Sequence, residues 1–275
     1  MNLEAIDTRA FHDFEQVGWQ KAAAYYSATF GTLTAQAAGP LLDALGAGPG
    51  RRLLDVATGP GYVAAQAAAR GAAVVGIDFS PLMLEEATRR HPGLQFQAGD
   101  AEALPFDDET IDLVAMNFGL LHLARPETAM QEAHRVLVAG GRYGFTVWAK
   151  PEQAVGFGVV HHAMEALGRA DVGLPAGPPF FRFSDPDECR HTLEQVGFVE
   201  PRVQQLPLVW HLASADELFE AALRGGVRTS AALQAQSPQV LNEIRRAVRG
   251  ALAAYADAGG IALPMGVVLA WARKP

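Results

Sequence analysis

The sequence predicts an α/β protein built on a doubly wound, seven-stranded, mostly parallel sheet with helical lid insertions. Three observations carry that prediction. Short apolar runs alternate with helical stretches between residues 51 and 148, the pattern of a parallel sheet covered by helices on both faces. The first run leaves through a turn holding two glycines, in LLDVATGPG at 53–61. Acids stand at the ends of the first three runs, at Asp55, Asp78 and Asp100.

The elements follow in order. Residues 11–46 are helical, because Trp19, Ala22, Ala23, Tyr26 and Phe30 recur at three- and four-residue steps and form one apolar face. GAGPG at 46–50 ends that stretch. RRLLDVA (51–57) is the first strand, and GPGYVAAQAAARG (59–71) opens the following helix, which Gly71 stops. AAVVGIDF (72–79) is the second strand. Ser80 is an N-cap, with Pro81 at the first helical position of SPLMLEEATRR. LQFQAGD (94–100) and IDLVAMNF (111–118) are the third and fourth strands, on either side of a polar loop. ETAMQEAHRVL (127–137) is a helix, AGG at 139–141 its expected stop, and RYGFTVW (142–148) the fifth strand.

The later chain is less regular. A helix is expected over 152–169, and Ser184 with Asp187 makes a capping-box-like start for a helix over 185–196. VEPRVQQLPLVWHL (199–212) is the sixth strand. Residues 214–258 are mostly helical, broken at Gly225-Gly226 and Ser237-Pro238, and IALPMGVVLAWARK (261–274) is the last strand. The organisation read from this order is an N-terminal helical cap (1–50), a cofactor-binding core (51–150) and a lid insertion (151–184). The rest of the core (185–275) carries a helical insertion at about 213–260.

Composition narrows the function classes. The 275 residues are 49% hydrophobic and 19% charged, with a formal charge of −8. No Lys/Arg-rich run is present, which argues against nucleic acid as a partner. One cysteine, Cys189, excludes an intramolecular disulfide. No leader pattern and no apolar stretch of membrane-spanning length are visible. The expectation is a cytoplasmic protein with a small-molecule partner and no membrane partner.

In a doubly wound sheet, ligands sit beyond the carboxyl ends of the strands, where the winding reverses. Gly59 and Gly61 let backbone pass close to a ligand there. Asp78, nineteen positions after Gly59, is placed to reach both hydroxyls of an adenosine ribose, and Asp100 lies near where adenine belongs. GPGYVA at 59–64 also satisfies the dinucleotide pattern GxGxxG/A. Asp55 weighs against a dinucleotide. Its carboxylate would repel a pyrophosphate approaching the turn, an effect of several kcal/mol at an effective dielectric of about 20. It suits a ligand with a cationic end, such as an amino group or a sulfonium.

LLDVATGPGYVAAQAA, VVGIDFSPLMLEEA, FQAGDAEALPFDDETIDLVAMNFGLLHL and HRVLVAGGRYGFTVW together resemble the class I S-adenosylmethionine-dependent methyltransferases, which are Rossmann-like. Their closest likeness is to the branch that includes the ubiquinone/menaquinone biosynthesis enzymes. The resemblance covers residues 50–150, and its fold closes with an antiparallel seventh strand. The family pattern is acid-x-Gly-x-Gly-x-Gly, and Ala57 stands where its first glycine belongs. S-adenosylmethionine is the implied cofactor and methyl transfer to a small organic acceptor the implied reaction. The resemblance implies that Asp55 and the backbone of Ala57–Gly59 hold the methionine part, with Gly61 completing the turn. It further implies Asp78 on the ribose, Phe79 and Met83 against the adenine, Asp100 on the adenine amino group and Ala101 at the ring edge. Asn117 and Phe118 would sit beside the sulfonium.

Methyl transfer from a sulfonium is an in-line displacement in which the protein mainly aligns and desolvates. His122, which follows the fourth strand, is the candidate base. Aromatic residues in the covering segments suit an apolar acceptor, and Tyr25, Tyr26, Trp148, His161, Phe180 and Arg182 are the candidate substrate contacts. No metal-ligand spacing is recognisable, and no metal is expected. Two other readings stand at this point: an NAD(P)-dependent oxidoreductase, and a protein that binds S-adenosylmethionine without methylating.

Overall fold

A computed structural model describes residues 7–169 and 171–275. Its frame is a sheet whose central strands are buried on both faces. In chain order the first half contains α1 (Thr8–Tyr26), α2 (Phe30–Leu45), β1 (Arg52–Val56), α3 (Tyr62–Ala69), β2 (Ala73–Asp78) and α4 (Pro81–Arg90). Then come β3 (Gln95–Ala98), β4 (Ile111–Asn117), α5 (Pro126–Val136) and β5 (Leu137–Trp148). The second half contains α6 (Val155–Leu167), α7 (Pro186–Val196), β6 (Val199–Leu212), α8 (Ala215–Arg224), α9 (Arg228–Gln234), α10 (Pro238–Leu252), β7 (Ala256–Asp257) and β8 (Gly260–Arg273).

The strand order is β3-β2-β1-β4-β5-β8-β6, and the two-residue β7 pairs with β8. Strands β3 to β5 run parallel, whereas β8 is antiparallel to both β5 and β6. The winding reverses between β1 and β4, so the crevice at a switch point opens beyond Val56 and Asn117. Leu53, Leu54, Ile77, Met116, Tyr143 and Phe145 are fully buried and fix the sheet between its helical layers. α2 packs on the sheet, and α1 packs against α4, α8 and α9. No helix among the described residues is long and apolar enough to cross a membrane.

Three local expectations are corrected. The helical stretch 11–46 is two helices: the chain turns at Ser27–Thr29, where the Thr29 hydroxyl donates back to the Tyr25 carbonyl. AGG at 139–141 does not stop a helix ahead of a strand. β5 begins at Leu137, and the glycines make a bulge opposite Ile111–Leu113. A side chain at Gly141 would meet the carbonyl oxygens of Val138 and Asp112 at 2.9 and 3.0 Å. Finally, α7 is capped by Asp185, which accepts from the Asp187 amide at 2.9 Å. The Ser184 hydroxyl instead donates to the Trp148 carbonyl at 2.8 Å, tying the start of α7 to the end of β5.

Candidate active site

The turn after β1 is held by its own acids. The Thr58 hydroxyl donates to Asp55 Oδ2 at 2.6 Å and the Ala64 amide donates to the same oxygen at 3.0 Å. Asp55 therefore braces both the turn and the first turn of α3. Its other oxygen, Oδ1, is buried and without a hydrogen-bond partner among the described residues. Burial pushes Asp55 up to about 7, against the two hydrogen bonds and with a smaller push from Asp78.

Ala57 and Gly59 both have left-handed backbone, with φ of 54° and 52°. Ala57 thus carries a strain that the glycine of the family pattern would not. Its methyl group has a counterpart: a side chain at Gly119 would lie 2.7 Å from Ala57 Cβ. Gly59 has open space where a side chain would project, as a ligand cradle requires. Gly61 differs from its expected role. It does not line the cavity. A side chain there would strike the Phe96 ring at 2.8 Å and His91 at 3.0 Å, so packing against β3 accounts for the glycine.

Asp78 ends β2 with both oxygens engaged. Oδ2 accepts from the Gly59 amide and Oδ1 from the Ser80 amide, each at 2.9 Å. Burial raises it to about 6, opposed by those amides. Each carboxylate oxygen keeps a second lone pair for a ligand hydroxyl. Phe79, Met83, Asp100 and Ala101 line the same cavity as Asp55, Ala57, Gly59 and Asp78. Asp100 Oδ1 accepts from the Glu102 amide at 2.9 Å, and its Oδ2 lies 3.3 Å from Nε2 of His12 on α1. The His12 ring stands edge-on to Phe79, and Gln16 donates to the Phe79 carbonyl at 3.1 Å. α1 therefore covers the far end of this cavity.

Asn117 and Phe118 close β4 at the cavity wall. The Asn117 carboxamide is already engaged, donating to the Thr34 carbonyl at 3.1 Å and accepting from the Thr146 hydroxyl at 2.6 Å. Phe118 is held at φ 56°, with its ring 4.2 Å from that of Trp148.

A second chamber adjoins the first. Trp19, Tyr26, Thr34, Phe118 and His122 line both. Beyond them the second chamber is walled by aromatic rings: Phe30 stacks on Phe157 at 5.7 Å, and Phe157 also packs on Trp148 and Phe180. Arg228 is its charged side chain, and that guanidinium is already paired with Glu15. The Tyr26 hydroxyl lies 2.9 Å from that of Thr34, and burial pushes the phenol well above its usual range, so it stays protonated.

Of the expected substrate contacts, Tyr26, Trp148 and Phe180 line this chamber. Tyr25, His161 and Arg182 do not. Tyr25 is exposed beneath the Arg224 guanidinium. α6 turns Gly156, Phe157 and Val160 inward, and His161, about 100° further round the helix, faces solvent beside Glu165. Arg182 is bound by Glu127 and Glu188 over the Phe183 ring. Conversely, His12, Glu15, Trp19 and Thr34 were not among the expected site residues. His12, Glu15, Trp19 and Tyr26 fall on one face of α1, and polar residues interrupting that apolar stripe were the available signal. No group of three His, Cys, Asp or Glu side chains among the described residues could hold a metal ion.

Residues 54–145 match a family described as a methyltransferase domain. A demethylmenaquinone methyltransferase from Renibacterium salmoninarum is 43% identical over 111 residues, 40% of this chain and 47% of that protein. The chain spans about half the length of the curated relatives it matches. Among solved structures, the YcgJ protein of Bacillus subtilis superposes with a TM-score of 0.58 at 19% identity, covering 87% of this chain and 98% of that one. A phosphoethanolamine N-methyltransferase 2 from Haemonchus contortus, solved in complex with S-adenosyl-L-methionine, has a TM-score of 0.58 at 18% identity, covering 96% and 60%.

Proposed function

We propose that this chain, whose residues 54–145 match a methyltransferase domain family, transfers a methyl group from S-adenosylmethionine to a small apolar acceptor seated in the second chamber. The observation that carries the reading is Asp55 Oδ1, a buried acceptor atom without a partner at the lip of a glycine turn. A buried carboxylate left half-satisfied is costly, and a cationic ligand group completes it. A pyrophosphate would meet repulsion at the same place. The residues present therefore fit a cofactor with a cationic amino acid end and an adenosine end.

When bound, S-adenosylmethionine supplies an electrophilic methyl group on a sulfonium. The rest is the work of the chain. Asp55 and the backbone of Ala57–Gly59 hold the amino acid end, and Asp78 accepts from the ribose hydroxyls. Phe79, Met83 and Ala101 would pack against the base and Asp100 would accept from its amino group, with His12 covering that end. Asn117, its side chain fixed by Thr34 and Thr146, and Phe118 shape the passage between the chambers. The aromatic wall excludes water and orients a flat acceptor by ring contact.

The names of the curated relatives point to an acceptor of the demethylmenaquinone kind. A fused ring of that sort, in its electron-rich hydroquinone form, matches an apolar aromatic chamber. This reading keeps the acceptor a small molecule and the chain's setting cytoplasmic. The test is turnover to S-adenosylhomocysteine with 1,4-naphthohydroquinone as probe, compared with amine and carboxylate acceptors. Methylation of the hydroquinone supports the reading. Turnover confined to charged acceptors overturns the chamber assignment, and binding of S-adenosylmethionine with no turnover on any acceptor favours a non-methylating protein.

A further inference from the structure

His122 is tied into a buried array that the fold alone does not require. Its Nδ1 lies 3.0 Å from Oε2 of Glu15, a residue of α1 with no solvent exposure. The second oxygen of Glu15 accepts from Arg228 Nε at 2.9 Å. Arg228 in turn donates to the carbonyls of Pro178 and Leu121 at 2.8 and 3.0 Å, and its guanidinium carbon lies 4.4 Å from the Phe11 ring centre. Helix α1, the turn after β4 and helix α9 thus meet on one ion pair. Apolar residues of similar volume are often as stable as a buried ion pair, so its presence asks for a reason.

The reason offered by the geometry is orientation of the imidazole. A carboxylate paired with a guanidinium has only acceptor capacity to offer its other neighbour. Neutral His122 therefore carries its proton on Nδ1, toward Glu15, and keeps Nε2 as the basic nitrogen. The Trp19 ring stands edge-on to the imidazole at 4.7 Å and 89°, and Phe180 at 5.9 Å and 73°, so the ring is fixed in rotation as well. Nε2 makes no hydrogen bond among the described residues, and His122 lines both chambers at their junction.

We propose that Glu15 is the positioning residue of a Glu15–His122 base, and that the natural acceptor is one that gives up a proton when it is methylated: a ring hydroxyl or an activated ring carbon. The inference rests on the proposed methyl transfer. The proton passes from the acceptor to His122 Nε2, and a methyl group takes its place on the acceptor oxygen or carbon. The positive charge brought in by the sulfonium leaves as the imidazolium proton, and the sulfur departs as a neutral thioether. Glu15 holds the imidazolium until the proton escapes to solvent with product release. Because Glu15 belongs to α1, the base is complete only when that helix is docked.

The test has two arms on the full chain. In the first, ring nitrogens of ¹⁵N-histidine-labelled protein are resolved by long-range NMR correlation, with His122 assigned by loss of its signals in His122→Asn. A proton on Nδ1 and a bare Nε2 is the expected result; a proton on Nε2 overturns the proposal whatever the activity. In the second, Glu15→Gln is expected to lower kcat on 1,4-naphthohydroquinone by about 10–100-fold, part of the roughly 10²–10⁴-fold that a positioned base contributes. Its S-adenosylmethionine affinity and KM stay within about three-fold. Equal loss of cofactor affinity and turnover, or no change in kcat, overturns it. If Glu15→Gln does not fold because Arg228 loses its counter-charge, the paired variant Glu15→Gln, Arg228→Gln removes both charges and carries the same prediction. A wild-type chain that fails to methylate the probe contradicts the proposed acceptor, and the tautomer arm then decides the positioning role alone.

Discussion

Asp55 and Asp78, at the ends of two adjacent parallel strands, grip consecutive residues of one turn: Asp55 takes the Thr58 hydroxyl and Asp78 the Gly59 amide. Both carboxylates are buried, and burial is what mainly raises each, with Asp78 adding only a smaller push on Asp55. The turn is therefore pre-shaped by the two groups proposed to bind the cofactor.

Binding of a cationic ligand should depend on pH. Burial leaves Asp55 at about 7 and Asp78 at about 6 in the free chain. The ligand selects the ionised carboxylate, so protons are released on binding and affinity falls as pH drops. S-adenosylmethionine affinity should weaken by about 10–30-fold between pH 7.5 and pH 5.5. Calorimetry in two buffers of different ionisation enthalpy measures both quantities. A flat profile with no proton release would contradict the Asp55 assignment.

Stability should move the other way. The folded pKa of Asp55 lies above its unfolded value, so the ionised form is the destabilised one. The free protein loses stability as pH rises from about 4 to about 7. Asp55→Asn removes that penalty and should raise Tm at pH 8 by about 2–6 °C, with a smaller difference at pH 5. Calorimetric melting decides. An equal loss of Tm at both pH values would mean that the bracing of Thr58 and Ala64 outweighs the burial of charge.

Asp78→Ala should weaken S-adenosylmethionine binding by about 10²–10⁴-fold, since two charge-assisted hydrogen bonds are lost at about 1.5–3 kcal/mol each. The Gly59 amide also loses its anchor. Unchanged affinity would remove the ribose from this position.

The Ala57–Gly119 contact predicts a compensating pair. Gly119→Ala places a methyl 2.7 Å from Ala57 Cβ and 2.9 Å from Met116, and should cost about 1–3 kcal/mol. Combining it with Ala57→Gly should recover a large part, because the clash goes and the left-handed backbone at 57 becomes unstrained. Denaturant unfolding of the double-variant cycle measures the coupling, and strict additivity would show that the two positions do not meet.

Much of this architecture was legible in the chain itself. Between residues 51 and 148 every strand but the polar edge strand β3 is a short apolar run, and each turn carries Gly, Pro or Asp, so local pattern and tertiary position agree. AGG at 139–141 misled because a glycine run signals a helix stop and a bulge equally well. Tyr25, His161 and Arg182 were read from composition of the covering segments, and composition does not say which face of a helix turns inward. Tyr26 lies inward and Tyr25 outward for want of only one residue of rotation. The pairing of Glu15 was hidden for another reason, although its place on the inward face of α1 was not. Its partners His122 and Arg228 lie 107 and 213 positions away, and no local period announces a pairing made only by the fold.

The central claim is that the turn after β1 is shaped for a cationic adenosine cofactor. Titration of the chain with S-adenosylmethionine and, separately, with NADH tests it most directly. The account predicts micromolar binding of S-adenosylmethionine, weakened strongly by Asp55→Asn, and no measurable binding of NADH. Micromolar NADH binding without S-adenosylmethionine binding would contradict it.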